Sequence, residues 1–150
     1  ALGNVCGGTD AAGLARKQRA ADAGAIEAIV AALQAHPQVA GVQDYGCRAL
    51  GNVCFNDDAA GLTRKQRAAA AGAIEAIVAA LQAHPQVAGV QQNGCRALVS
   101  VCSGSDAAAR ARRQRAVTAG ATEAAVGARQ AHPDAAAVQR QGQRLRDLLA

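Results

Sequence analysis

The chain has 150 residues and a net charge of +5, and 51% of its residues are hydrophobic, although it contains only one Tyr, one Phe and no Trp. No segment approaches the roughly 18 uninterrupted apolar residues that a membrane span needs, and no basic stretch followed by an apolar one opens the chain. We therefore expect a soluble, unprocessed protein with a single domain, residues 1–150, whose core consists of Ala, Leu, Ile and Val.

The charged residues are distributed unevenly along the chain. Residues 1–48 and 49–96 are nearly balanced, whereas residues 97–150 carry eight basic and four acidic residues. The five cysteines lie among apolar neighbours, which is typical of small buried thiols and not of a disulfide framework. This pattern predicts a reducing compartment, the cytoplasm or the nucleus.

Three near-copies of a 48-residue unit fill residues 1–48, 49–96 and 97–144. The first two copies differ at only seven positions. Such fixed-period similarity is typical of stacked supersecondary units, each of which buries an apolar face on the next. We therefore expect a repeat array that binds a partner along an extended surface, and not an enzyme.

In chain order, residues 1–6 match the end of a third helix. Each unit then contributes a first, a second and a third helix. In the second copy, Asp58 is the expected N-cap and Gly72 the expected C′ residue of the first helix. The second helix, AIEAIVAALQAH, ends at His84, and Pro85 is expected in the first turn of the third helix, QVAGVQQNGCRALVSVC. The apolar stripe of the second helix comprises Ile74, Ile77, Val78 and Leu81. On the earlier third helix, 100° per residue predicts a buried arc of Val42, Gly46, Cys47, Ala49, Leu50, Val53 and Cys54, with Asp44, Arg48 and Asn52 on the opposite side.

The third copy departs from the other two on one face. Thr122, Ala125, Arg129 and Gln143 stand where the second copy has Ile74, Ile77, Leu81 and Cys95. Because terminal repeats normally present a polar outer face, residues 97–150 are predicted to be a degenerate C-terminal cap. The chain begins with ALGNVC, the last part of a third helix, so Leu2, Val5 and the helix from Asp10 lack a preceding neighbour, and we expect the N-terminal end to be uncapped.

Three helices per copy, an Ala-Gly-Ala-Ile junction and an A-L-x-N-V ending together resemble the armadillo repeat family. The matching strings are DAGAIEAIVAALQAH (22–36), AAGAIEAIVAALQAH (70–84), RALGNVC (48–54) and RALVSVC (96–102). The resemblance implies an all-α fold, a right-handed α-solenoid of armadillo-like three-helix repeats. The unit is longer than the family's usual length of about 40 residues or slightly more.

The resemblance also implies a binding groove. In armadillo proteins that bind extended peptides, third helices line the groove and the Asn of this ending hydrogen-bonds the peptide backbone. Asn4 and Asn52 match that Asn, and Ser100 replaces it in the third copy. Members that bind basic peptides carry a Trp one turn earlier, where this chain has Arg48, Arg96 and Arg144.

Guanidinium groups favour carboxylates or phosphates, which they can bind with two hydrogen bonds. The first hypothesis is therefore a non-catalytic scaffold for an extended, acidic protein or peptide segment. Its peptide-binding residues are Asn4, Arg48, Asn52, Arg96, Ser100 and Arg144. A pair between Asp44 and Arg48 on a solvated helix face is the simpler alternative, worth only a few tenths of a kcal/mol.

Two further functions stay open. The array can self-associate into a homo-oligomer through its N-terminal end, or basic clusters on the first helices can bind a polyanion weakly. A solvated edge is the simpler explanation of these clusters, and the lack of aromatic stacking platforms argues against nucleic acid as the main partner. The clusters comprise Arg16, Lys17, Arg19, Arg64, Lys65, Arg67, Arg110, Arg112, Arg113 and Arg115.

His36, His84 and His132 recur once per copy in an Ala-His-Pro junction. Neighbouring helices pack about 8–10 Å apart, whereas zinc holds its nitrogen ligands at about 2.1 Å, so equivalent histidines should not converge on one ion. We interpret them as helix-boundary residues. No metal, cofactor or catalytic set is expected.

Overall fold

A computed structural model describes residues 8–150, and within this range the chain forms nine α-helices and no β-strand. The helices are α1 (Ala11–Asp22), α2 (Ala25–Ala35), α3 (Ala40–Val53), α4 (Ala59–Ala70), α5 (Ala73–Ala83), α6 (Ala88–Cys102), α7 (Ala107–Thr118), α8 (Ala121–Ala131) and α9 (Ala136–Leu149). The all-α prediction is confirmed. None of the helices within residues 8–150 is long and apolar enough to cross a membrane.

Each three-helix unit begins with the same capping arrangement. The side chains of Asp10, Asp58 and Asp106 accept hydrogen bonds from backbone N–H groups three residues later, at 2.9, 2.6 and 2.8 Å. Gly72 separates α4 from α5 with a φ of +87°, a left-handed conformation that favours glycine. Asp58 and Gly72 therefore cap the first helix as predicted. We call α1–α3, α4–α6 and α7–α9 the first, middle and last units.

The prediction that Pro85 opens the third helix is wrong. Pro85 lies in a turn, Val87 is the N-cap, and α6 begins at Ala88. The residue before a proline disfavours the helical region, so the chain leaves the helix at His84. The backbone N–H of Val87 then donates to the His84 carbonyl at 3.1 Å and closes the turn.

A glutamine on each third helix caps the second helix of the same unit. Gln91 Nε2 donates to the carbonyls of Leu81 at 2.8 Å and His84 at 2.9 Å. Gln43 and Gln139 make the equivalent pairs of hydrogen bonds in the other units. Carbonyls that the helix end would leave without partners are thus satisfied.

The units stack so that equivalent helices meet. The most extensive pairing joins the third helices, α3 with α6 and α6 with α9, and the second helices α2, α5 and α8 contact one another in the same order. The predicted stripe is buried, with Ile74 and Ile77 fully enclosed and Val78 and Leu81 each 2% exposed. Most of the predicted third-helix arc is buried as well.

Val42 and Gly46 are the exceptions in that arc, because both are half-exposed. Their equivalents in the middle unit, Val90 and Gly94, are buried. The difference follows from the stacking, because α6 has a neighbouring third helix on each side, whereas within residues 8–150 the third helix α3 pairs only with α6.

The cysteines of the described range are packing residues. Cys47, Cys54, Cys95 and Cys102 are free, fully buried thiols. Burial raises the pKa of Cys47, Cys54 and Cys95 to about 12 and that of Cys102 to about 11. These thiols are therefore structural and unreactive in the folded protein.

The buried thiols predict a loss of stability at alkaline pH. Unfolded thiols ionise near pH 9 while the folded ones keep their protons, so each should lower the free energy of unfolding by about 1.4 kcal/mol per pH unit above pH 9. Urea unfolding at pH 8, 9 and 10 measures this slope. A Cys95→Ala variant should show a shallower slope than the native chain, and equal slopes would contradict the assignment.

Candidate protein-interaction surface

The third helices lie side by side, with α6 between α3 and α9. These helices carry the described residues that were predicted to bind a peptide: Arg48 and Asn52 on α3, Arg96 and Ser100 on α6, and Arg144 on α9. Asn4, the remaining member of the predicted set, lies outside the described residues. We call the outer side of these three helices the third-helix surface.

Three of the predicted residues meet where α3 and α6 join. Arg96 Nη2 donates to Asn52 Oδ1 at 2.8 Å and to the Arg48 carbonyl at 3.3 Å. Arg96 is half-buried, and this burial together with the nearby charge of Arg48 lowers the pKa of its guanidinium group. Two like charges thus lie close together at the edge of a partly desolvated site.

Ser100 does not belong to this surface, which corrects the prediction. Its exposed fraction is 5%. Serine has one heavy atom beyond Cβ, so it cannot reach past the helices that flank α6 on both sides. Arg144, in contrast, is exposed on α9 and extends the basic character of the surface into the last unit.

Asp44 lies one turn before Arg48 and reaches across to α6. Its Oδ1 accepts a hydrogen bond from Asn93 Nδ2 at 2.6 Å. A Cβ atom at Gly89 would lie 2.6 Å from Asp44 Oδ2, so glycine leaves the room that this carboxylate occupies. Asp44 and Asn93 are among the positions where the first two copies differ, and periodicity alone gave no signal that they meet.

The basic residues of the first helices do not form a solvent-facing row, so that expectation is wrong for four of them. Their exposed fractions are 2% for Lys17, 2% for Arg64, 0% for Lys65 and 4% for Arg112. The charged ends of these four side chains donate hydrogen bonds to main-chain carbonyls or to side chains of neighbouring units. This burial removes the central residues of the proposed polyanion-binding row.

Arg64 makes a connection that the next unit repeats. Its Nε donates to the Val53 carbonyl at 2.8 Å and its Nη1 to Gln18 Oε1 at 2.9 Å. Arg112 makes the same contacts one unit later, to the Val101 carbonyl at 2.7 Å and to Gln66 at 3.2 Å. Each arginine therefore ties its helix to the preceding unit.

The buried lysines bind the loops that lead into the next unit. Lys17 Nζ donates to Asn56 Oδ1 at 2.8 Å and lies 5.5 Å from the centre of the Phe55 ring. Lys65 forms an ion pair with Asp57 and donates to Ser103 Oγ at 2.6 Å. The hydrogen bond from Lys65 also lowers the pKa of Asp57.

Two ion pairs bridge the units at their exposed edge. Arg67 pairs with Glu27, and Arg115 pairs with Glu75 in the equivalent position. The hydrogen bond from Arg67 lowers the pKa of Glu27. Because these pairs are solvent-exposed, they add little to the free energy of unfolding.

The histidines lie at helix ends as predicted, and they also join the units. His84 Nε2 donates to the Pro37 carbonyl at 2.7 Å, and His132 Nε2 donates to the Pro85 carbonyl at 2.8 Å. Within residues 8–150, no three His, Cys, Asp or Glu side chains lie close enough together to hold a metal ion. The recurring histidine is therefore a link between successive units.

Comparison with protein-family models, curated proteins and solved structures finds no match to this chain. The third-helix surface brings Arg48, Asn52 and Arg96 together. The buried basic residues of the first helices instead bind neighbouring units; they are Lys17, Arg64, Lys65 and Arg112.

Replacing Arg64 with Met tests the connection between units. The Val53 carbonyl and Gln18 would each lose a donor, which should lower the free energy of unfolding by about 1–3 kcal/mol. Arg110→Met, at an exposed position of α7, is the matched control and should change it by less than about 0.5 kcal/mol. Equal effects in chemical denaturation would show that Arg64 has no special structural role.

Proposed function

We propose that this chain is a non-catalytic protein-interaction scaffold, a right-handed armadillo-like solenoid whose third-helix surface holds an extended, acidic protein segment. The repeated three-helix units and the side-by-side third helices support this architecture. The buried free thiols suit the cytoplasm or the nucleus, where such a scaffold would work.

The main support for this proposal is the position of Arg48 and Arg96 beside each other on adjacent third helices. They occupy equivalent positions on adjacent helices, and Arg96 is held there by Asn52 and by the Arg48 carbonyl. Besides burial, repulsion from Arg48 contributes to the lowered pKa of the Arg96 guanidinium group. A carboxylate placed between the two guanidinium groups would relieve this repulsion and accept hydrogen bonds from both.

The spacing of the units suggests the form of the ligand. Adjacent packed helices lie about 8–10 Å apart, and an extended chain advances about 3.3 Å per residue. Roughly three ligand residues therefore span one unit. A segment with an acidic residue at every third position would place one carboxylate near each of Arg48, Arg96 and Arg144.

Asn52 has a different part in this proposal from the one that the family resemblance implies. Its side-chain oxygen accepts the hydrogen bond from Arg96, so its amide group positions that guanidinium. We therefore treat Asn52 as a positioning residue for Arg96. Arg48, Arg96 and Arg144 are the residues that contact the ligand.

Fluorescence anisotropy with a labelled 12-residue peptide, Glu at every third position and Ala or Ser between, tests the proposal. The variant Arg48→Glu with Arg144→Glu should bind at least about tenfold more weakly, since two of three charge contacts become repulsive. Arg96 is left in place because it also joins α3 to α6.

The control variant is Arg19→Glu with Arg110→Glu, which changes the net charge equally at exposed first-helix positions. It should retain binding within about twofold. Unchanged affinity of the Arg48/Arg144 variant would contradict the proposal. Equal losses in both variants would show that the peptide responds to net charge alone.

A further inference from the structure

The first unit presents a face whose equivalent in the middle unit is buried. We call this the head face, and it comprises Ala28, Ala32, His36 and Val42. Ala28 and His36 are exposed, and Ala32 and Val42 are half-exposed. The equivalent residues of the middle unit are nearly enclosed, with exposed fractions of 7% for Ala76, 2% for Ala80, 9% for His84 and 0% for Val90.

The opposite side of a neighbouring unit, which we call the tail face, covers the head face of the middle unit. Leu33 and Pro37 of the first unit line one small concavity together with Ala76 and Ala80. His84 Nε2 donates to the Pro37 carbonyl at 2.7 Å beside it. The middle unit covers the last unit in the same way, through the hydrogen bond from His132 to Pro85.

The last unit has a different tail face. Arg129 stands where the other units have Leu33 and Leu81, and its guanidinium group donates to Gln143 and, at 3.1 Å, to Gln139. Arg146 is exposed where Leu50 and Leu98 are fully buried between units. A tail face lined by guanidinium groups does not complement the alanines of a head face.

We propose that the head face binds the tail face of a further three-helix unit of the sequence type of the first and middle units. The Leu and Pro of that tail would cover Ala28 and Ala32, and His36 Nε2 would donate to its proline carbonyl. The exposed Tyr45, at the position equivalent to Asn93, would face the residue that corresponds to Asp44. This surface is distinct from the third-helix surface, and the interaction is independent of the acidic ligand.

A full-length tail probe makes the proposal testable. Arg129→Leu, Gln143→Cys and Arg146→Leu restore the residues of the middle unit, and Ala28→Arg with Ala32→Arg blocks the probe's own head face. Arg has nearly the helix propensity of Ala, so the blocking changes leave α2 intact. The native chain supplies the head face.

Sedimentation velocity of the mixture under reducing conditions should show a one-to-one complex of native chain and probe. A native chain carrying only Ala28→Arg and Ala32→Arg should bind the probe at least tenfold more weakly. His36→Ala should weaken the complex about fivefold, the effect of losing one hydrogen bond. Circular dichroism verifies that every partner is helical.

Should the triple change reduce helicity, a probe with Arg146→Leu as its only tail change replaces it, because that position is exposed. It should form the same complex with lower affinity. The proposal fails if helical partners form no complex, or if the complex persists when the native head face is blocked. A further contradictory result is a dimer of the native chain that Ala28→Arg with Ala32→Arg abolishes and that the probe does not disrupt. Two head faces would then cover each other.

Discussion

The contact between the tail face of one unit and the head face of the next is the constraint on which the whole structure depends. A unit built from Ala, Ile, Leu and Val buries little area per side chain, and at about 25 cal/mol per Å² its own three helices gain too little to offset their ordering. The second unit supplies the missing cover. Because the contact repeats every 48 residues, a side chain that suits one interface also suits the next.

This constraint decides which polar residues are available for function. Lys17, Arg64, Lys65 and Arg112 face the interior of the stack, where carbonyls and amide side chains of neighbouring units satisfy most of their donors. On the third helices, Arg48 and Arg96 are half-exposed and Arg144 is exposed. The proposed binding function builds on this division, because these three arginines lie at equivalent positions on adjacent helices.

The sequence predicted the elements better than the surfaces. Helix periodicity and capping rules located Asp58, Gly72 and the stripe from Ile74 to Leu81, because those signals are local. Burial of Arg64 and Lys65 was missed, since basic residues at helical spacing usually face solvent and their partners belong to other units. Ser100 was misplaced for a similar reason: its exposure depends on the helices that flank α6. The hydrogen bond from Arg96 to Asn52 could not be predicted from the sequence, because it depends on how two successive units are aligned.

Native-state hydrogen exchange of the full chain tests most directly whether contacts between units hold the fold together. The middle unit is covered on both sides, so the amides of α5 and α6 should exchange slowest. Amides in α2, which carries the open head-face residues Ala28 and Ala32, should exchange at least about tenfold faster. Uniform protection across the three units, or slowest exchange in the first, would contradict this account and would mean that each unit is stable by itself.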